Sequence, residues 1–324
     1  MAASDDSFSR VDTEQYIKEK VRSSDVAIVL PTLNEEKGIG KMLDSLNALN
    51  INHTRSVLVV DGHSVDKTAQ IAKEKGAKVI YQRGLGYGDA LQTGFEYASK
   101  YYNPEVVVML DADSTYDVND IPGLIEPVFD DAADLVVGNR FAMMDKGAMT
   151  RLNVIGNKIL SKLANWVLKL NVKDTQCGIR AIRGSLASAL SMTSEGMPFA
   201  LEMLVEAKQL RARITQRPVR YHVRMGEAKL SPLMDGFRIL STIISLMRDY
   251  RPLSFFSGLG AVFMAIGLFF GIDLIREYLA TSTITRLPTA ILVAALMSVG
   301  VQLLSFGLLA DMLKNKFTRR FTNG

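Results

Sequence analysis

Residues 105–122 read EVVVMLDADSTYDVNDIP, and the rest of the chain is organised around this stretch. Val106-Val107-Val108-Met109-Leu110 is a short, unbroken apolar run, the composition of a strand buried on both faces. It stops at two carboxylates one residue apart, Asp111 and Asp113. In an open α/β sheet, ligands gather outside the carboxyl ends of the strands. Two acids placed there can hold one hard divalent cation, and the cation can hold a diphosphate. Taken alone, Asp-Ala-Asp is more simply a polar turn, with Asp120 capping the next helix. The remainder of the chain changes that balance.

Upstream, residues 26–30 form an apolar run stopped by Pro31. Asn34 is placed to cap a helix with Glu35 and Glu36 in its first turn. That helix carries Ile39, Met42, Leu43, Leu46 and Leu49 on one face. A second strand at 57–60 runs into Asp61-Gly62-His63-Ser64-Val65-Asp66, followed by a helix at 67–75 and a third strand at 78–81. A turn with Gly84, Gly86 and Gly88 precedes a helix near 88–100 and the strand bearing the acids. After Pro122, another helix leads to a strand at 134–137 and a loop, Gly138-Asn139-Arg140-Phe141. Repeated βαβ units predict an α/β domain, a Rossmann-like, mostly parallel sheet with helices on both faces. Three strand ends then meet at one crevice: Pro31 to Glu35, Asp61, and Asp111 with Asp113. A nucleotide there would use backbone groups at the first end and carboxylates for base and ribose.

Composition narrows the classes. A chain of 324 residues can hold one large domain plus something smaller, and its net charge of +4 is too mild to argue for nucleic acid. Cys177 is the one cysteine, so no disulfide framework or cysteine metal site is expected. His53, His63 and His222 are scattered, which argues against zinc. The glycines follow the third strand as G-x-G-x-G, not the first as G-x-G-x-x-G, and no phosphate-binding G-x-x-x-x-G-K-[ST] occurs. Residues 1–24 read as a polar tail without the apolar core of a signal peptide.

After Leu230 the composition shifts. Met234, Phe237, Leu240, Ile243, Ile244 and Met247, with Arg238, Arg248 and Arg251 among them, predict an amphipathic helix at 230–251 lying at a membrane surface. Residues 253–272 and 287–310 contain no charge, and as helices they would span roughly 30 and 36 Å at 1.5 Å per residue. A transmembrane hairpin over 252–311 follows, with a connection at 273–286 and a basic tail at 312–324 carrying Lys314, Lys316, Arg319 and Arg320. The connection has only Arg276 and Arg286, so both termini and the domain at 25–229 are expected on the cytoplasmic side of the cell membrane. Two spans without internal charge offer no transport pathway. Gly258, Gly260 and Ala261 would let the hairpin pack against copies of itself as a homo-oligomer.

Five ordered motifs now stand together: PTLNEE, DGHSVDKT, DADSTY, GNRF and DTQCGIR. The combination resembles the family 2 glycosyltransferases of the GT-A fold, and among them the polyprenyl- or dolichyl-phosphate hexose synthases of archaeal type. It covers about residues 25–230. The resemblance implies a nucleotide-diphosphate sugar donor, Mg²⁺ or Mn²⁺, and inversion at the anomeric carbon. It implies Pro31, Leu33, Glu35 and Asp61 around the nucleoside, Asp111 near ribose and sugar, and Asp113 on the metal. Leu33 stands where many members have Tyr, and Thr115 where many have a Gln that ligates the metal. DGHS and DADSTY also favour a UDP-sugar over a GDP-sugar.

The chemistry follows from charge. Displacing a nucleoside diphosphate builds negative charge on the leaving group, which a cation stabilises. A lipid monophosphate acceptor has a second pKa of about 6, so at neutral pH it is largely dianionic and needs little help from a base. It needs cations to hold it in line. Arg140, Arg151, Arg224 and Lys229 are the candidates, the last two in YHVRMGEAKL, which is similar to the family's R-x-G-x-S-K-L. Asp174 is a candidate base or acceptor-orienting acid, or else part of a turn before Gly178. Ile155, Ile159, Leu163, Val167 and Leu170, with Trp166, read as core or interface packing, and Glu202 as a surface carboxylate. The expected function is transfer of one hexose or N-acetylhexosamine to polyprenyl or dolichyl phosphate. The alternatives are another lipid acceptor, such as a diacylglycerol, and a non-catalytic nucleotide-binding membrane scaffold. No Q-x-x-R-W, the mark of processive members, is present.

Overall fold

The computed structural model describes residues 24–191, 199–223, 240–241, 244–245, 247–248 and 251–322, with side chains to residue 313 in the last segment. The polar segment 1–23, Arg224, Lys229, most of the expected interfacial helix at 230–251 and the side chains of Lys314, Lys316, Arg319 and Arg320 lie outside the described residues. The chain divides into two compact units, Met1–Ile239 and Leu240–Gly324.

The first unit is built on a seven-stranded sheet. Its strands are β1 (Val26–Thr32), β2 (Arg55–Asp61), β3 (Lys78–Tyr81), β4 (Val106–Met109), β5 (Leu135–Met144), β6 (Arg180–Arg183) and β7 (Ile214–Tyr221). They lie in the order β3-β2-β1-β4-β6-β5-β7. All neighbours are parallel except β6, which runs against both β4 and β5. Every residue of β1 and β4 is buried, as their continuous apolar sequences require of central strands. Each fully buried Val, Leu or Ile side chain contributes about 1.5–3 kcal/mol relative to exposure.

Helices between the strands are α1 (Ile39–Ala48), α2 (Thr68–Glu74), α3 (Gly86–Tyr101), α4 (Ile121–Phe129), α5 (Arg151–Leu168), α6 (Gly184–Ala189) and α7 (Phe199–Gln209). α1 buries Ile39, Met42, Leu43 and Leu46 at helical spacing. α3 packs on β1 and β2, and α4 on β5 and β6.

Register sets the crevice. Thr32 is opposite Asp61, and β4 pairs with β1 through Met109 and Val29. The chain leaves β1 toward β2 and β3 on one side, while β4 begins the other half of the sheet. The carboxyl ends of β1 and β4 therefore flank the point where strand order reverses, which is where ligands bind in such sheets. Because β6 is reversed, its first residue, Arg180, pairs with Met109 and Val137 at that same edge.

Three expectations are corrected. Asn34 does not cap α1, which starts after Gly38 with no side-chain cap and no acid in its first turn. Asn34 instead takes a left-handed conformation (φ 50°), and its side chain accepts the Val65 N–H at 2.8 Å. GNRF is not a loop: β5 continues to Met144 because, past an irregularity at Asn139, Met143 and Met144 resume pairing with Arg220 and Tyr221 of β7. The stripe expected on α5 as core or interface packing divides: Val167 is buried and Leu170 packs against the core, whereas Ile155, Ile159 and Trp166 are exposed, and Ser161, Ala164 and Leu168 complete the inward face.

The second unit contains α8 (Pro252–Thr281) and α9 (Leu287–Thr322). Pro252–Thr281 and Leu287–Leu313 are each long and apolar enough to cross a membrane, with a mean hydropathy of 2.1. Both expected spans fall inside them. The connection is shorter than expected, because no breaker interrupts 273–281 and α8 ends only at Ser282, with φ at 57°. Arg286 closes the turn on Glu277 at 3.0 Å and Asp273 at 3.3 Å. A Cβ on Gly260 would lie 2.7 Å from the Gly300 carbonyl oxygen, so the two backbones touch there, whereas a Cβ on Gly258 would meet nothing. Gly260 is consumed inside the hairpin and is not available to a second copy.

Candidate active site

Asp111 and Asp113 follow β4 directly, and each is oriented through one oxygen. Tyr87, at the start of α3, donates its hydroxyl to Asp111 Oδ1 at 2.8 Å. Burial raises the Tyr87 pKa well above its usual value and the Asp111 carboxylate adds to this, so the phenol stays a donor. Thr115 donates both its amide (3.0 Å) and its hydroxyl (2.6 Å) to Asp113 Oδ1. Thr115 is thus the residue that aims Asp113.

Opposite the acids, residues 33–38 after β1 and 62–68 after β2 are laced together. The amides of Asn34, Glu35 and Glu36 donate to Ser64 Oγ (2.8 Å), Thr68 Oγ1 (2.7 Å) and Asp66 Oδ2 (3.2 Å). Asp61 is fully buried and accepts from the Ser64 amide (2.9 Å), the Ser64 hydroxyl (2.6 Å) and the Thr32 hydroxyl (3.3 Å). Asp61 is brought to the crevice as expected, but its oxygens hold the loop. Pro31 is buried, Glu35 is half-buried and Leu33 projects into solvent at the lip. The Gly84 turn is structural, its amide bonded to Asp89 Oδ2 at 2.7 Å.

The third wall comes from the loop before β6. Arg140 on β5 and Asp174 form a buried pair: Nε donates to Oδ2 at 2.7 Å, Nη2 to Oδ1 at 2.8 Å, and the Arg140 amide adds a third bond at 3.2 Å. Burial opposes the Arg140 charge, but Asp174 foremost, with Tyr116 and Cys177 beside it, favours the charged form, and the Arg140 pKa is raised. A carboxylate with both oxygens taken by a guanidinium orients that guanidinium; it is not a free base. Arg140 also lies over the Tyr221 ring, 5.4 Å from its centroid.

Two residues that the motif reading passed over tie these walls together. Tyr116, buried beside Arg140 and Tyr221, accepts the Gly178 amide at 2.7 Å. Arg180, fully buried, donates to the carbonyls of Cys177 (3.1 Å), Thr175 (2.8 Å) and Ala200 (2.7 Å), and burial lowers its pKa. Each ends a motif already singled out, DADSTY and DTQCGIR. A charged residue opening an apolar strand was the one available signal for Arg180.

Arg151 stands exposed at the first turn of α5 and makes no ion pair among the described residues. Glu202 is half-buried in the first turn of α7. The segment carrying Arg224 is reached from Tyr221 and His222, which sit against the acid loop: the His222 amide donates to the Thr115 carbonyl at 2.7 Å.

Among the described residues, no three acidic, histidine or cysteine side chains converge on one metal position. A half-exposed acid pair, each carboxylate oriented by a neighbouring hydroxyl, fits a hard cation that takes its other ligands from phosphates and water, the habit of Mg²⁺.

Residues 27–190 match the family described as Glycosyl transferase family 2. The chain is similar to Glycosyltransferase AglJ of Haloferax volcanii, with 31% identity over 290 residues, 89% of this chain and 93% of that one. It is similar to the Dolichyl-phosphate hexose transferase of the same organism, with 34% identity over 229 residues, 70% of this chain and 96% of that one. Among solved structures, it resembles glucosyl-3-phosphoglycerate synthase from Mycobacterium tuberculosis in complex with Mn²⁺, UDP and glucosyl-3-phosphoglycerate. The TM-score is 0.55 at 22% identity, covering 69% of this chain and 80% of that one.

Proposed function

The chain belongs to glycosyl transferase family 2, and from that membership we propose a membrane-anchored, inverting enzyme that moves one sugar from a nucleotide-diphosphate sugar to polyprenyl or dolichyl phosphate. The observation that carries the reading is the acid pair at the end of β4, oriented by Tyr87 and Thr115, in a chain that also holds two membrane-length apolar helices. The similarity to a Dolichyl-phosphate hexose transferase supports the acceptor class.

On this reading the nucleoside lies along the laced loops 33–38 and 62–68, with Pro31, Leu33, Glu35 and Asp61 nearest to it. Asp111 faces ribose and sugar. Asp113 would hold Mg²⁺ or Mn²⁺, which when bound neutralises charge on the leaving diphosphate. A phosphate oxygen of the acceptor attacks the anomeric carbon from the face opposite the departing diphosphate. The new C–O bond forms as the old one breaks, and the configuration inverts. A dianionic phosphate carries no proton that must leave, so no base is required. Arg140, held rigid by Asp174, supplies a fixed positive field beside the reacting groups. Arg224 and Lys229 are assigned to the acceptor phosphate, and Arg151 is its outermost cation. The basic residues on both flanks of the hairpin support a cytoplasmic catalytic domain and termini.

The test is a transfer assay on purified, detergent-solubilised protein with a panel of UDP- and GDP-sugars, UDP-sugars being expected to serve. Polyprenyl phosphate is the acceptor, with and without Mg²⁺ or Mn²⁺. A metal-dependent, solvent-extractable glycolipid from one donor is expected, and Asp113→Ala should abolish it. Donor binding without product on polyprenyl phosphate would move the acceptor to another lipid, and neither binding nor transfer would leave a scaffold.

A further inference from the structure

The apolar span of α9 has two opposite faces. One packs on α8: a Cβ added at Gly260, Gly267, Gly271 or Gly307 would meet Gly300, Leu296, Val293 or Phe256 across the pair, at 2.7–3.3 Å. The other carries Ile291, Ala295, Ser298, Gln302, Ser305 and Leu309, all exposed. These six are spaced alternately four and three residues apart. At 3.6 residues per turn they fall within an arc of about 80°, centred opposite Gly300. That alternation is the seam of a left-handed coiled coil.

Gln302 is the only amide side chain in either span. It stands about 16 Å along the axis from Leu313, the nearer end of the apolar segment, and so deep in hydrocarbon. A carboxamide offers two N–H donors and a carbonyl acceptor. One N–H reaches Ser298 Oγ at 3.4 Å, and among the described residues the Gln302 side chain makes no other hydrogen bond. Hydrocarbon holds no water to complete the set, so the remaining groups call for a polar partner at the same depth.

We propose that this face of α9 is the contact between two copies of the chain, their Gln302 carboxamides hydrogen-bonded to each other across a two-fold axis along the membrane normal. A carboxamide both donates and accepts, and is therefore its own complement, which a two-fold contact requires. Copies of one chain cross the bilayer in the same direction, so their α9 helices run parallel and Gln302 falls at one depth in both. Ala295, Ser298 and Ser305 are small enough to let the two backbones approach. No charge lies along the seam to hold them apart. Gly260 is spent inside the hairpin, and the self-association expected there falls to α9 instead. The inference rests on α8 and α9 crossing a bilayer; the transfer reaction plays no part in it.

Single cysteines test the seam, since the native Cys177 is buried and stays out of the reaction. Full-length Ser305→Cys protein would be reconstituted in phosphatidylcholine vesicles and oxidised with copper phenanthroline. A disulfide-linked dimer is expected. Leu308→Cys, at a position 54% exposed on α9 but off the seam, should stay monomeric under the same treatment. Sedimentation equilibrium in detergent micelles gives the affinity: Gln302→Leu should raise the dimer Kd about tenfold. Equal cross-linking at both positions would overturn the proposal, and so would a Kd unmoved by Gln302→Leu. A wild type that stays monomeric would also overturn it, leaving lipid or another protein to cover the face. Alkaline-carbonate extraction of the vesicles is the control. Release of the chain would sink the hairpin reading together with the seam; retention alongside a failed cross-linking test would sink the seam alone.

Discussion

A methyl group placed on Gly178 would lie 2.3 Å from Asp111 Oδ2 and 3.1 Å from the Tyr116 hydroxyl. Gly178 follows Cys177 in DTQCGIR, and its lack of a side chain is what lets that loop close over the acid pair. Gly178→Ala should push Asp111 aside and lower kcat/KM for transfer about tenfold or more, since overpacking of this kind costs roughly 1–3 kcal/mol. Tyr87→Phe should be milder, removing one bond to Asp111 while keeping the ring. Steady-state kinetics of both variants, alongside melting curves, would separate loss of the acid's position from loss of fold.

Thr115 acts through Asp113. Thr115→Val keeps the shape and removes the hydroxyl, so the metal concentration for half-maximal rate should rise about tenfold. Thr115→Ser should restore it. A metal titration of activity is the measurement, and an unchanged midpoint in the valine variant would remove Thr115 from the site.

Arg140 and Asp174 should behave as a unit. Asp174→Ala strands a buried guanidinium and should cost about 3–5 kcal/mol of stability. Replacing both with apolar residues of similar volume should recover much of that stability without recovering activity. Denaturant melts on the two single variants and the double variant would show it.

Cys177 is the chain's one thiol, and burial pushes its pKa up to about 12. In native protein at pH 8 it should resist maleimide, because the thiolate is the reactive form and this one is neither formed nor reachable. Labelling should begin only as denaturant opens the domain, so its rate would track unfolding of the site loop.

At the other edge of the sheet, hydrogen bonds from Arg213 are the main force holding Asp134 well below the usual carboxylate range, against a smaller opposing effect of burial. A depressed native pKa adds stability at all pH values above the unfolded one, about 4, and the gain is lost as pH falls toward the native value. The wild type should therefore lose melting temperature more steeply between pH 5 and 3 than Asp134→Asn, the two converging in acid.

The strands and acids were legible because their signals are local. β4 announces itself by five apolar residues, and Asp111 and Asp113 by standing at its end. The hairpin was legible from composition, although its turn was placed too early: Asp273, Arg276 and Glu277 read as a loop yet suit a helix end. What could not be read were side chains whose role is set by a partner far along the chain. Asn34 has the residue type of a helix cap, but Val65, 31 residues later, takes its oxygen. Asp174 looks like a free acid until β5 brings Arg140 against it, and Tyr87 has no local signal at all. The α5 stripe had a helical period, and periodicity says that a face is apolar without saying what covers it.

Held by its hairpin, an enzyme whose acceptor shares the bilayer searches for it in two dimensions. The closed turn at Glu277 and Arg286 strengthens that confinement, since drawing those charges back through hydrocarbon is costly. Encounter then depends on how many acceptor molecules lie in each patch of membrane and how fast they diffuse laterally. Saturation curves should follow the mole fraction of acceptor in the vesicle and stay unmoved when more buffer is added.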